Sequence, residues 1–279
     1  AAMRKLITAS FSRLWKEKVF WVSALSLAVC AVFFSYLNYQ TSMRYDSDPL
    51  YVEDVLFNLF PMIAFVCAGF ISLFLGTEFD ENTIRNKLVV GHTRTQIYFA
   101  NYLTCMVVSL VLLFAILIFS GIAGYIFFRA FMMEWTELAF LILCCVLCTM
   151  VFSAISVSFA MNIHKKAFAI VAAVLFMFAI LFAASYIEGA LAEAEMVYDG
   201  VTITMEGVQF GDLVENSAYV KGSTRTIMEF IYDMLPTGQA IQINNMDFDR
   251  CLRWPVLSII MLFAATFAGY LPFRKRDIR

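Results

Sequence analysis

The chain has 279 residues, of which 62% are hydrophobic and only 15% charged, and its formal net charge is −2. Soluble globular chains average roughly 45–50% apolar and about 25% charged residues. There is too little polar side chain to cover a water-facing surface, which excludes an ordinary soluble enzyme and a disordered protein. No surplus of Lys and Arg supplies a footprint for nucleic acid. The composition describes an all-α polytopic membrane protein.

Residues 4–18 form the first predicted element. Ile7, Phe11, Leu14 and Trp15 recur at helical spacing, and Arg4, Lys5, Arg13, Lys16 and Lys18 supply a basic face. Such a helix lies in a membrane surface. Six apolar runs follow at 19–38, 55–76, 102–128, 138–161, 167–187 and 254–273, each near or above the roughly 20 residues a membrane-spanning helix needs. The first run is too long for a cleaved signal peptide. Pro61 predicts a kink in the second.

The charges fix an expected orientation. With the N-terminus inside, only Arg44, Arg129, Lys221, Arg225, Arg250 and Arg253 of the 20 Lys and Arg fall outside. Of the 22 acids, only Glu17, Glu78, Asp80, Glu81 and Asp277 fall inside. Basic residues favour the cytoplasmic side, so both termini are expected in the cytoplasm. No charge falls in the middle of a span. Ion-coupled pumps and charged filters place such groups there, and an intramembrane metallo- or acid protease needs ligands or carboxylates there. His92 and His164 both fall in inner loops.

Within the spans, Asn58, Ser153 and Ser156 are candidate pathway-lining residues, although for these, as for Ser158 and Asn162, bridging between helices is the better reading. Cys144, Cys145 and Cys148 resemble a metal cluster but lack a fourth ligand and a hydrated entry route, so they read as small packing residues. Tyr125, Trp135, Trp254 and Tyr270 stand near span ends, where an aromatic belt is expected.

The inner loop at 76–94 is the most informative stretch. Glu78, Asp80 and Glu81 lead, Arg85 and Lys87 follow, and Gly91 stands where a helix would stop, the order a short helix prefers given its dipole. Ile84, Leu88 and Val89 give it an apolar side suited to docking on another protein, and Thr93 is placed to cap the next helix. The outer segment 188–253 carries eleven acids against four bases. Residues 196–210 alternate as a hairpin does, with Asp199-Gly200 as its turn. Residues 224–235 read as a helix ended by Pro236 and Gly238. No catalytic constellation appears in this segment.

Glu78-Phe79, Thr83-Ile84-Arg85, Leu88 and Thr93-Arg94, flanked by spans two and three, resemble the permease subunits of type 2 ABC exporters, nearest the bacterial peptide, antibiotic and lantibiotic-immunity branch. Leu235-Pro236-Thr237-Gly238-Gln239 and the tail Phe273-Arg274-Lys275-Arg276-Asp277-Ile278 agree, whereas Asn101 stands where many relatives carry a basic residue. The resemblance implies four parts: a connecting helix at 1–18, spans one to five at 19–187 with a coupling loop at 77–97, a small extracellular α/β insertion at 188–253, and the last span with a basic tail at 254–279. It assigns ATPase coupling to Glu78, Phe79, Thr83, Ile84, Arg85, Leu88 and Arg94. It also implies two cytoplasmic ABC ATPase subunits and a second permease copy or paralogue, in contact with membrane lipid and not with nucleic acid. The chain has no Gly-x-x-x-x-Gly-Lys-Ser/Thr loop, which an ATP-hydrolysing subunit needs to cradle the phosphates. No cofactor is therefore expected in this chain, and ATP and Mg belong to the partner. Expected cargo is hydrophobic or amphipathic, a peptide, antibiotic or lipid. The alternative is a membrane-embedded immunity or sensor protein that binds a peptide through its outer loop without transporting it.

Overall fold

The structure, a computed structural model, describes residues 2–45, 50–128, 130–163, 165–199, 201–204, 207–248 and 250–275. Arg129, His164, Gly200 of the expected turn, and the tail from Arg276 onward lie outside these residues.

The N-terminal helix α1 spans Ala2–Leu14, and a tight turn leads into α2, Lys18–Tyr45. A short α3, Val52–Leu56, precedes α4, Met62–Asp80. Then come α5, Thr83–Val89; α6, Arg94–Phe127; α7, Trp135–Asn162; and α8, Lys166–Ala192. After four short strands, α9 (Gly222–Met234) and α10 (Pro236–Asn244) lead through a 3-10 turn to α11, Trp254–Lys275. Six helices among the described residues, α2, α4, α6, α7, α8 and α11, are long and apolar enough to cross a membrane, so the chain is an all-α multi-pass membrane protein.

Helices α4 and α7 form the centre. α4 packs between α7 and α8, α11 lies along α7, and α2 leans on α6. The seams are lined by small buried side chains such as Cys67, Ala68, Cys105, Cys145, Cys148 and Ala154. With no water to exclude, close van der Waals approach is what holds such helices together. Leu25, Phe182 and Phe263 on α2, α8 and α11 stay exposed, as side chains facing lipid do. Thr93 caps α6 as expected: its hydroxyl accepts from the Gln96 N–H at 3.3 Å, and the Gln96 side chain accepts from the Thr93 N–H at 3.2 Å.

Five expectations are corrected. The second apolar run is not one helix. It breaks after Leu56, passes through i→i+3 turns at Phe57, Leu59 and Phe60, and resumes at Met62. Pro61 starts a helix instead of kinking one, because its missing N–H would be unsatisfied at a first turn in any case. Gly238 does not stop a helix. Pro236 ends α9 but opens α10 at its first turn, where proline is tolerated. Gly238 sits inside α10, where an added Cβ would come within 2.9 Å of the Tyr232 ring. Nor does the ribbon turn at Asp199. Strand β1, Met196–Tyr198, pairs with β4, Leu213–Glu215, and β2, Val201–Thr204, pairs with β3, Gly207–Phe210, in the same register. The chain therefore runs on past Asp199 and reverses between Thr204 and Gly207. Finally, Trp254 is fully buried, and Tyr270 hydrogen-bonds Thr95 at 2.9 Å, while Tyr125 and Trp135 are exposed.

Candidate functional site

At the end of the bundle that carries α1 and α5, one buried carboxylate gathers four elements. Glu78, on the last turn of α4, is 1% exposed. Its Oε1 accepts from Arg13 Nη1 of α1 at 2.8 Å and from Lys87 Nζ of α5 at 2.7 Å. Its Oε2 accepts from Asn101 Nδ2 of α6 at 2.7 Å. Arg13 also donates through Nη2 to the Phe74 carbonyl at 2.7 Å and lies over the Phe74 ring at 4.0 Å. A carboxylate out of water is tolerable only when paired and hydrogen-bonded, and both oxygens here are engaged.

Local backbone chemistry presents α5. Asn82 takes a left-handed conformation, φ 54°, between α4 and α5, a region Asn visits more readily than most residues. Gly91, φ 99°, lets the chain leave α5 for Thr93. A small apolar cluster then pins one side of α5: Ile84 is buried with Leu6 of α1 and with Ile97 and Ala100 of α6, and Ile7, Phe79 and Leu88 pack against it. The other side is open. Arg85 is exposed, and Val89 and Val90 are 80% and 78% exposed.

The structure thus brings Glu78, Phe79, Ile84 and Leu88 into this corner, while Thr83 lies on the first turn of α5 and Arg85 on its exposed side. Arg94 points elsewhere, its Nη1 donating to the Arg274 carbonyl of α11 at 3.4 Å. Asn58 lies in the break between α3 and α4. Ser153 and Ser156 are buried in α7, where the Ser156 hydroxyl donates to the Phe152 carbonyl at 2.7 Å. Sequence reasoning missed Arg13, Lys87 and Asn101 as partners of Glu78. Arg13 is 65 residues away, beyond any local pattern; Asn101 carried a signal, as the position departing from the family's basic residue. Two cations already reach Glu78, and the neutral amide donates there without adding a third.

Cys148 is buried on α7, and its Sγ donates to the Pro236 carbonyl of α10 at 3.2 Å. No group of three or more His, Cys, Asp or Glu able to hold a metal occurs among the described residues.

The opposite end holds a second polar cluster. Asp233 of α9 is buried, 3.5 Å from Arg250 Nε and 3.9 Å from Arg253 Nη1. Burial raises its carboxyl above the ordinary 3.8, and Arg250 only partly offsets this. Native Asp233 therefore holds its proton more tightly than the unfolded chain does. The stability this contributes is fully present below pH 3.8 and is lost as pH rises through the raised native value. Thermal unfolding across the acid range should show this loss in the wild type and a flatter curve in Asp233→Asn; an unchanged curve would locate the proton elsewhere.

A family model described as ABC-2 family transporter protein matches residues 6–184 of the chain. No curated protein matches the chain. The matched segment holds most of α1, all of α2 to α7 and most of α8, and so includes every member of the Glu78 hub.

Proposed function

The chain belongs to the ABC-2 transporter family and is thus the membrane component of an ABC transporter, working with an ABC ATPase subunit, and we propose that it serves an exporter whose power stroke enters through α5. The observation that carries this reading is the asymmetry of α5. One side is tied through Ile84 and the Lys87–Glu78–Arg13 hub to α1, α4 and α6, and the other offers Arg85, Val89 and Val90 to solvent. A docking helix needs both: a free apolar tip for the partner and a stiff connection to the spans. The surplus of Lys and Arg at this end supports a cytoplasmic placement of both termini.

In this reading Glu78, Phe79, Thr83, Ile84, Arg85, Leu88 and Arg94 form the coupling region. Two ATPases bind ATP and Mg, and two permease chains face each other to form the route. Asn58, Ser153 and Ser156 are its candidate lining; the Ser153 hydroxyl is buried without a hydrogen-bond partner. Spans without central charges suit hydrophobic or amphipathic cargo, a peptide, antibiotic or lipid, moved outward.

The test is Val89→Asp with Val90→Asp, measured as ATPase co-purification and permease-dependent ATP hydrolysis. Two charges in an apolar contact should lower association at least about tenfold, the scale of an interface hot spot, while the permease keeps its thermal stability. Unaltered pairing and hydrolysis would remove α5 from the docking role.

A further inference from the structure

Helices α8 and α11 flank α7 and leave an apolar cleft of about 610 Å³ between them. Its floor is Ile155, Ser158, Phe159 and Asn162 of α7, and its α11 wall is Ala264, Ala268 and Pro272. The floor's polar groups are turned to α11: the Ser158 hydroxyl donates to the Ala265 carbonyl at 2.8 Å, and Asn162 Nδ2 to the Gly269 carbonyl at 2.9 Å. What faces the cleft is accordingly hydrocarbon.

Its dimensions and its mouth define the occupant. From Ile155 to Ile163 the floor rises eight residues, about 12 Å, close to half of the roughly 30 Å hydrocarbon core. A cleft that ends at mid-bilayer fits an acyl chain of one leaflet, whereas a second copy's helix would need the full depth. Ala264, Ala268, Pro272 and Lys275 recur at spacings of four and three, one face of α11, so Lys275 stands at the open end. Lys165 stands there too, two residues after Ile163, with its Nζ 5.7 Å from the Phe168 ring centre. Neither lysine forms an ion pair with any described residue; Asp80 lines the neighbouring hollow with Lys165 and Lys166 without pairing with either.

We propose that the cleft between α7, α8 and α11 holds an acyl chain of an anionic phospholipid whose headgroup is bound by Lys165 and Lys275. The proposal rests on the cytoplasmic placement above only for the choice of leaflet; the pairing of apolar cleft and cationic mouth holds whichever way the chain is inserted.

The test uses the full chain in nanodiscs of phosphatidylcholine doped with photoactivatable phosphatidylglycerol or with photoactivatable phosphatidylcholine, and locates the adducts by peptide mapping. Adducts should concentrate on residues 155–163 and 264–272 and favour phosphatidylglycerol. Lys165→Ala and Lys275→Ala should each lower that preference roughly fivefold. Ala268→Trp should abolish labelling of the cleft; the two lysine variants, exposed at the surface, keep the test valid if the Trp variant does not fold. Equal labelling by both lipids would overturn the headgroup assignment. Chain-to-chain disulfides in Ala268→Cys would overturn the proposal by making the cleft an interface between copies. Both lipids occupy both leaflets of a nanodisc, so a failed orientation leaves this result intact and is read separately from the accessibility of Lys165→Cys in sealed vesicles.

Discussion

Replacing Glu78 with Ala is expected to lower the unfolding free energy by about 3–5 kcal/mol, the usual cost of removing one member of a buried ion pair. The loss comes less from the missing attraction than from what stays behind. The Arg13 and Lys87 side chains are 23% and 15% exposed, and Asn101 is 1% exposed. Without the carboxylate, two cations and an amide point into one dry space. Glu78→Gln keeps the volume and one acceptor but leaves both cations uncompensated, so it should lie between wild type and Glu78→Ala. Thermal unfolding in detergent gives the order of the three proteins. A Glu78→Ala protein as stable as wild type would mean that α1, α5 and α6 are held by the Ile84 cluster alone. The same variant should lose permease-dependent ATP hydrolysis even where it stays folded, because α5 would no longer be tied to α4.

The second large effect is expected at Gly269. An added Cβ there would come within 2.6 Å of the Tyr98 hydroxyl and 2.7 Å of Ser158 Cβ, so α11 must move off α7 to accept any side chain. Gly269→Leu should cost about 1–3 kcal/mol through overpacking. It also strains the bonds from Asn162 to the Gly269 carbonyl, from Ser158 to Ala265, and from Tyr98 to the Thr266 carbonyl at 3.3 Å, each about 0.6 kcal/mol on average in membrane proteins. Phe267→Leu, two residues earlier on the exposed face, should unfold within experimental scatter of wild type. If the two variants behave alike, the close approach of α11 to α7 is not what holds the last helix.

The spans were legible because hydropathy over twenty residues is a one-dimensional signal, and the cap at Thr93 because a capping box needs only the spacing to Gln96. The break at Phe57–Pro61 was hidden for the same reason: Leu56, Phe57, Leu59 and Phe60 are as apolar as the helix they interrupt. Gly238 read as a stop because its purpose is a close approach of α10 to Tyr232, a tertiary fact. In the candidate site, Glu78 was legible as one of three acids opening the inner loop, but the apolar residues of α5 were assigned to docking on another protein; Ile84 and Leu88 instead pack inward against α1 and α6, and of the three only Val89 stays open. The identity of Arg13 as a partner lay in where α1 meets the end of α4, and that of Lys87 in how the turn at Asn82 folds α5 back toward Glu78, neither of which a spacing encodes.

The Glu78 hub also has a place in time. Its members are residues 13, 78, 87 and 101, all within the first part of the chain, and chains are made from the N-terminus. The hub can close as soon as α6 has entered the bilayer, before α7 has left the ribosome. The α11 seam, by contrast, waits for the final helix. A nascent chain thus has the members of the Glu78 hub first and its lateral wall last. On the proposed docking role of α5, a shortened product ending after α6 would carry every member of the hub but none of the α11 seam.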